Sequence, residues 1–422
     1  MTRALAVWWE DELVGSLRVD RDGEMRFAYD ADWLADPASP ALSISLPKRA
    51  EPFRARACRP FFEGLLPEGA QRDAIAAVFG VSPGNEFALL ERLGGDVAGA
   101  LTLRREGEAR PPAPVATAAG GQPAAALDEQ ELAGVLGQLG TRPMLAGTRG
   151  LRLSLAGAQS KLPVVLVGGR VALPGPGQPT THILKPPIAR FPATTENEAF
   201  AMRLAACIGV DAAPVDAYRV ADGHCLLVTR YDRQREADGS VRRLHQEDFC
   251  QALGVPSSRK YAADGGPAFR QCFDLVRRAC PRPAVEVLKL LDAAIVQVLI
   301  GNADAHAKNY SLLHREGGTE LAPLYDLLST VAYPDLAPNL AMRVAGRATL
   351  RELRPGDWDR FAKSAGLAPP FVRRRVAALA ALAIERAEGT AGELAASGLD
   401  GDALGAFATQ VAGRARQLAR TA

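Results

Sequence analysis

A chain of 422 residues is long enough for two domains, and its apolar share of 48% can fill sizeable cores. The formal net charge of +2 forces no polybasic surface, so bulk charge does not imply nucleic acid. Cys58, Cys207, Cys225, Cys250, Cys272 and Cys280 form no C-x-x-C pair and no zinc-like spacing with histidine, and read as small buried hydrophobes of a reducing cytosol.

At the N-terminus, Trp8, Trp9, Glu10, Asp11 and Glu12 stand where a signal peptide needs an apolar core. No run approaches the roughly 20 apolar residues of a membrane span, so a soluble, cytoplasmic protein with no membrane partner is expected. Residues 4–9 and 13–19 read as strands around an acidic turn, and Phe27-Ala28-Tyr29 continues them. Leu42 to Leu46 alternates and predicts another strand ending at Pro47. Phe61 to Gly69 opens a helical region, and Phe87 to Leu93 a short helix. This α+β unit has no convincing catalytic set and reads as structural or regulatory. Residues 105–126, with Arg110-Pro111-Pro112-Ala113-Pro114 and Ala118-Ala119-Gly120-Gly121, lack periodicity and predict a linker or mobile surface loop. A helix over about 128–139 follows, with Asp128 placed to cap it.

Near Thr141 a second unit begins. Leu151 to Leu155 predicts a strand leading into the small-residue turn Ala156-Gly157-Ala158-Gln159-Ser160-Lys161, and Leu162 to Val167 predicts another. Such a turn lets backbone N–H groups approach a phosphate closely, although an ordinary hairpin has the same look and no Walker loop is present. Lys185 ends a short apolar strand, where a lysine is either a phosphate contact or an edge residue with its head in water. Glu196-Asn197-Glu198 starts a helix over 196–208, and either Glu could pair with Lys185. Cys225 to Thr229 is a buried strand leaving into the charged turn Arg230-Tyr231-Asp232-Arg233; in a two-lobed kinase the hinge would cross here. A helix over 245–253 and a loop over 257–267 follow.

From about Ala284 to Ile300, Val287, Leu288, Leu291, Ala294, Ile295, Val298 and Leu299 recur at three- and four-residue steps, as a buried helix face does. Gly301 stops that helix, and Asn302, Asp304, His306, Lys308 and Asn309 follow between apolar flanks. Burying so many polar groups is costly unless they have partners, and a metal or phosphate would supply them. Asp304 and Asn309 stand as D-x-x-x-x-N, the spacing at which a kinase catalytic loop places its base and a magnesium ligand. Asp326, in Leu324-Tyr325-Asp326-Leu327, follows where a second metal carboxylate is expected. Residues 326 to about 346 lack strong periodicity and predict a mobile activation-type segment; helices over 357–364, 370–389 and 401–419 complete the chain. The run Arg373-Arg374-Arg375 reads as a solvated helix face.

Taken together these residues resemble the HipA family, toxin kinases of bacterial type II toxin–antitoxin pairs, over almost the whole chain. The resemblance rests on Phe61-Phe62-x-Gly64-Leu65-Leu66-Pro67, Leu93-Gly94-Gly95-Asp96-x-x-Gly99-Ala100, Ala156-Gly157-Ala158-Gln159-x-Lys161 and His182-Ile183-Leu184-Lys185. It rests further on Gln246-Glu247-Asp248, Asp264-Gly265-Gly266-Pro267, Asn302-x-Asp304-x-His306-x-Lys308-Asn309 and Tyr325-Asp326. It implies an α+β, two-lobed protein-kinase-like fold: an N-terminal subdomain at 1–104, a linker and short helix at 105–140, and a kinase domain at 141–422 with a helical C-lobe from about 233.

The resemblance also implies an ATP- and Mg2+-dependent serine/threonine protein kinase acting as a toxin. Its expected partners are a small helix-turn-helix, HipB-like antitoxin, operator DNA reached through that antitoxin, and a protein substrate whose phosphorylation stops translation and drives persistence. Glutamyl-tRNA synthetase is the family's best-known target. By position, Asp304 matches the catalytic base, and Asn309 and Asp326 the magnesium ligands. Ala156, Gly157, Ala158, Gln159, Ser160 and Lys161 match the phosphate loop, and Lys185 the nucleotide lysine. Thr229, Arg230 and Tyr231 occupy the hinge, and His306, Ala307, Lys308, Asn309, Tyr325 and Asp326 line the nucleotide. Ser154 matches the inhibitory autophosphorylation serine, with Ser160 a second hydroxyl in the same loop. The hinge begins with Thr229 where some relatives have Glu, a departure at a place where the adenine contact is largely backbone. The competing readings are a kinase-fold co-repressor with little activity and a small-molecule phosphotransferase.

Overall fold

The computed structural model describes residues 3–110 and 125–420. Pro111–Pro114 and Ala118–Gly121, central to the linker expectation, lie outside the described residues. The chain divides into two compact units: Met1–Pro186 with Thr229–Ser257 and Leu313–Arg315, and Pro187–Val228 with Ser258–Leu312 and Glu316–Ala422.

The first unit is built on an antiparallel sheet of Arg3–Trp9, Glu12–Val19, Met25–Tyr29, Phe53–Arg54 and Leu101–Arg105, with the first strand between the second and the last. Alternation turns Leu5, Val7, Leu17, Phe27 and Leu103 inward, where they meet Phe61 and Phe62 of the helix Ala55–Glu63. A smaller set follows, with Leu162–Val167 paired antiparallel to Arg170–Ala172 on one side and to His182–Lys185 on the other. The helix Glu129–Gln138 starts on Asp128 in a reciprocal cap with Glu131, as the sequence predicts.

Three expectations fail in this unit. Residues 42–46 make a tight turn, not a strand: Leu46 N–H donates to Ser43 O, and the segment is drawn onto a neighbouring carboxylate and carbonyl. Ser43 Oγ and Ile44 N–H both donate to Glu247, and Ser45 Oγ donates to Gln251 O. Residues 151–155 keep only one parallel bridge, Leu153 to Asp96, because the partner is a glycine turn too short to form a ladder. Residues 245–253 are a strand, His245–Asp248, followed by a helix, Phe249–Leu253. Asp248 caps that helix through Gln251, a D-x-x-Q box that marks the boundary in the sequence.

The second unit is mostly helical. Pro283–Ile300 begins with Pro283 at its first turn and ends where Gly301 turns left-handed at φ 79°. Leu290, Leu291, Ala294 and Ile295 are fully buried in its middle. Thr194–Cys207, Phe269–Ala279, Asp357–Ser364, Pro369–Ala396 and Gly401–Ala419 supply the other long helices. The third-last of these to the last match the predicted C-terminal helices, with Pro369–Ala396 running longer than expected. Residues 326–346 are not an irregular segment. They hold a short turn at Thr330–Ala332 and the strand Asn339–Val344, which pairs with Arg347–Thr349 across a turn at Ala345 and Gly346. Leu340, Met342 and Val344 alternate inward, a two-residue period present in the sequence. Among the described residues no helix is long and apolar enough to cross a membrane.

Candidate active site

In the second unit, the polar loop after Gly301 is folded on its own amides. Asn302 donates its side-chain N–H to Gln297 Oε1 at 3.0 Å and accepts the Asp304 N–H at 3.0 Å. Ala303 N–H donates to Thr330 Oγ1 at 2.7 Å, and Ala341 N–H to Ala303 O at 2.7 Å. His306 N–H donates to Asn309 Oδ1 at 3.1 Å. Between Gly301 and Leu312 every residue is buried except Asp304, which is exposed. Gln297, Asn302, Asn309 and Thr330 thus hold the loop backbone, and Asp304 is its one exposed residue.

Asn309 and Asp326 come together: Asn309 Nδ2 lies 3.1 Å from Asp326 Oδ2. Asp326 adopts φ 59°, a left-handed conformation that side chains other than glycine rarely take and that is characteristic of sites where function fixes geometry. Tyr325 OH donates to Lys308 O at 2.7 Å and lies 2.7 Å from Ser311 Oγ, which ties the Asp326 segment to the loop. The His306 ring meets Tyr261 edge to face at 5.4 Å. Among the described residues no three His, Cys, Asp or Glu side chains gather as a metal cluster. The donor set is one amide and one carboxylate, hard oxygen ligands of the kind Mg2+ takes while keeping water and phosphate oxygens as its remaining partners. The residues fit that ion.

Sequence reasoning passed over two side chains here. Asn197 accepts from Ser329 N–H at 2.7 Å and donates to Ser329 O at 3.0 Å and Tyr333 OH at 3.1 Å. It clamps the backbone three residues after Asp326. Its signal was a buried Asn among Phe200, Ala201 and Leu204 on one helix face. Thr330 bonds both Ala303 N–H and Gly301 O, joining the two loops.

The remaining predicted residues lie in the first unit. Gly157 forms a parallel bridge with Pro67, and Glu68 N–H donates to Gly157 O at 3.1 Å. Gln71 Nε2 donates to Ser160 Oγ at 3.2 Å, and Lys161 Nζ closes the turn onto Ala156 O. Ser154 is fully buried, and its hydroxyl donates to Leu65 O at 2.7 Å. The Leu65-Leu66-Pro67-Glu68 turn thus seats the whole small-residue loop, a role for the N-terminal unit that its composition did not reveal. Lys185 is buried at the end of its strand.

The Arg230 side chain serves the fold. Its guanidinium donates to Asp232, Thr180 Oγ1 and Val97 O, and its amide donates to Thr181 O at 3.0 Å. Arg233 bridges Asp96 and Asp232, and Arg243 lies 3.2 Å from Asp96. Burial alone would raise the Asp96 and Asp232 carboxyls, but the guanidiniums around them outweigh it; Asp96 is held well below the usual carboxylate range and Asp232 at about 2. Tyr231 OH is bonded to Gln246 Oε1, whose amide N–H donates to Asp232 at 3.0 Å. Gly99 carries φ 85° beside this network and donates its N–H to Asp232 at 2.8 Å; a Cβ there would stand 3.0 Å from Gln246 N and His245 Nδ1.

Two family models match the chain: the HipA N-terminal domain over residues 5–104 and the HipA-like C-terminal domain over residues 153–387. The solved complex of the Shewanella oneidensis toxin–antitoxin proteins HipA and HipB with operator DNA contains a chain that matches at TM-score 0.84 and 27% identity, covering 99% of both. The fold is therefore mixed α and β, of the two-lobed, kinase-like type. The chain belongs to the HipA family. A relative from Sinorhizobium fredii, named "Putative kinase Y4mE", is 56% identical over 98% of each chain. The serine/threonine-protein kinase toxin HipA of Shewanella oneidensis is 31% identical over 81% of this chain and 79% of its own.

Proposed function

We propose that this protein is an ATP-dependent serine/threonine protein kinase that acts as the toxin of a toxin–antitoxin pair. One observation carries the reading: Asp304 is the single exposed side chain of a buried polar loop, five residues before an Asn that bonds Asp326. Asp304 accepts the proton of the substrate hydroxyl as that oxygen attacks the terminal phosphorus of ATP, whose bond to the bridging oxygen breaks to release ADP. Asn302 holds the Asp304 backbone for this step. Mg2+ held by Asn309 and Asp326 would offset the charge of the triphosphate. Lys185 contacts the phosphates, the turn Ala156–Lys161 offers its amides to them, and the backbone of Thr229–Tyr231 meets the base. His306 to Lys308 and Tyr325 line the nucleotide.

Ser154 is the autophosphorylation site in this reading. Its hydroxyl, fully buried on Leu65 O, is reached only when the loop leaves its seat. A phosphate of nearly two negative charges cannot return there, so modification leaves the loop displaced and the enzyme off. Residues 1–104 serve as the seat and 141–422 as the kinase domain. The partner is a helix-turn-helix antitoxin of the HipB kind that carries the kinase to operator DNA, and the substrate is a protein of translation such as an aminoacyl-tRNA synthetase.

Expression without the antitoxin should arrest growth, and the Asp304→Asn and Asp326→Ala variants should not. Phosphoproteomics after brief induction identifies the substrate. Undiminished ³²P transfer in Asp304→Asn removes Asp304 from its role; growth arrest that persists in both variants while the wild type transfers no ³²P removes the kinase reading and leaves the co-repressor.

A further inference from the structure

The last helix, Gly401–Ala419, lies beyond the residues matched by the family models. It carries a half-buried arginine, Arg414, that pairs with no carboxylate among the described residues. A guanidinium out of water needs a compensating partner. Arg414 finds it at the end of the helix that feeds the candidate catalytic loop: its Nη1 donates to Leu299 O at 3.1 Å. The last carbonyls of a helix carry partial negative charge and lack intrahelical donors, so a cation placed there is favourable.

The guanidinium also covers Gly301. A Cβ at that position would stand 2.3 Å from Arg414 Nη1 and 2.7 Å from Val331 Cγ2, and the residue has φ 79°. Gly301 O in turn accepts from Val331 N–H at 3.2 Å and from Thr330 Oγ1 at 3.3 Å. Thr330 holds Ala303, the neighbour of Asp304. An unbroken chain of contacts runs from Arg414 through Leu299 and Gly301 to both the Asp304 loop and the Asp326 segment.

We propose that Arg414 is a positioning residue: it fixes the junction between the long helix and the catalytic loop, and so sets where the Asp304 carboxylate stands relative to Asn309 and Asp326. This inference rests on the kinase reading for its kinetic consequence only. The final helix is then part of the catalytic apparatus without touching substrate, and truncation before Arg414 inactivates the enzyme.

The test compares Arg414→Ala and Arg414→Lys with Arg416→Ala, an equal charge change at an exposed site on the same helix. Phosphoryl transfer is measured at varied ATP, and hydrogen exchange is followed by mass spectrometry. Arg414→Ala should lower kcat roughly 10- to 100-fold, since about 1 Å of misplacement can cost two orders of magnitude in rate. KM for ATP should stay within about twofold, the signature of a lost transition-state arrangement rather than lost binding. Amides of residues 302–309 should exchange faster while the rest of the chain matches Arg416→Ala, and Arg414→Lys should recover part of the rate.

Arg414→Ala with unchanged kcat and unchanged exchange over 302–309 overturns the proposal. So does exchange that rises evenly along the chain with no recovery in Arg414→Lys, which marks a purely structural residue. If the wild type itself transfers no phosphate, the kinase reading falls, and the exchange arm still decides whether Arg414 holds the loop.

Discussion

The two units bury polar groups in opposite ways. In the first, Asp96, Arg230, Asp232, Arg233 and Arg243 are full charges removed from water and matched to one another. In the second, the Asn302–Asn309 loop is held by amides, a hydroxyl and backbone groups, and the carboxylate at its centre stays outside. A buried carboxylate ringed by arginines is a poor base, because its proton affinity is suppressed. Where charge is interred the protein builds a platform, and where chemistry is proposed it leaves the carboxylate exposed.

That contrast is broken or sharpened by four experiments. Asp304→Asn should lower phosphoryl transfer by about 10³-fold or more, in the range for loss of a general base, with an unchanged melting transition. A fall in the melting temperature would place Asp304 among the structural charges.

Asp96→Ala should do the reverse: removing one member of the buried set leaves guanidiniums unmatched and destabilises the first unit by about 3–5 kcal/mol, read from urea unfolding. An unfolding midpoint equal to wild type would mean that the ion set is incidental to the fold. The set should also resist acid. Folded Asp232 titrates at about 2, below its unfolded value, so its contribution persists above about pH 4 and is lost as the pH falls from there towards 2.

A smaller acid effect should appear at milder pH from His245. It is buried against Trp9, 5.4 Å from the His314 ring, and its Nε2 lies 2.9 Å from Leu42 O. Burial first, then the neighbouring His314, push its folded value down to about 3. The unfolded chain therefore takes up this proton first, and stability falls as pH drops below about 6.5, by roughly 2 kcal/mol at pH 5. Thermal unfolding at pH 7 and pH 5 should show the loss, and His245→Gln should flatten it; an equal slope in the variant assigns the effect elsewhere.

The smallest change comes from Asn197→Ala, which leaves the Ser329 amide without its acceptor and the Ser329 carbonyl with only the longer bond from Ala332 N–H, at a cost of about 1 kcal/mol. Because Ser329 follows Asp326 closely, ATP turnover should fall further than stability predicts. Turnover that tracks the folded fraction alone would show that the clamp does not set the Asp326 position.

Local pattern alone made much of this legible. The period of Val287 to Leu299 and the stop at Gly301 predicted the long helix almost to the residue, since both follow from nearest-neighbour sterics and a 3.6-residue repeat. The D-x-x-x-x-N spacing and Tyr325-Asp326 pointed to one site, and the structure joins Asn309 to Asp326 through a hydrogen bond. Local pattern failed where a segment takes its partners from far along the chain. Residues 42–46 alternate like a strand, yet Glu247 and Gln251 recruit their hydroxyls and amide into a turn. The resemblance at Leu65-Leu66-Pro67 marked a motif without showing that its carbonyl holds Ser154. Thr330 and Arg414 carry no local signature, and Asn197 only that of a polar residue on an apolar helix face, because their meaning lies in hydrogen bonds to backbone more than 20 residues away along the chain. Sequence determined the elements and the chemical inventory through short-range sterics and periodicity. Which buried donors and acceptors satisfy one another was decided only in the folded molecule, because that choice depends on the distance between groups and the exclusion of water around them.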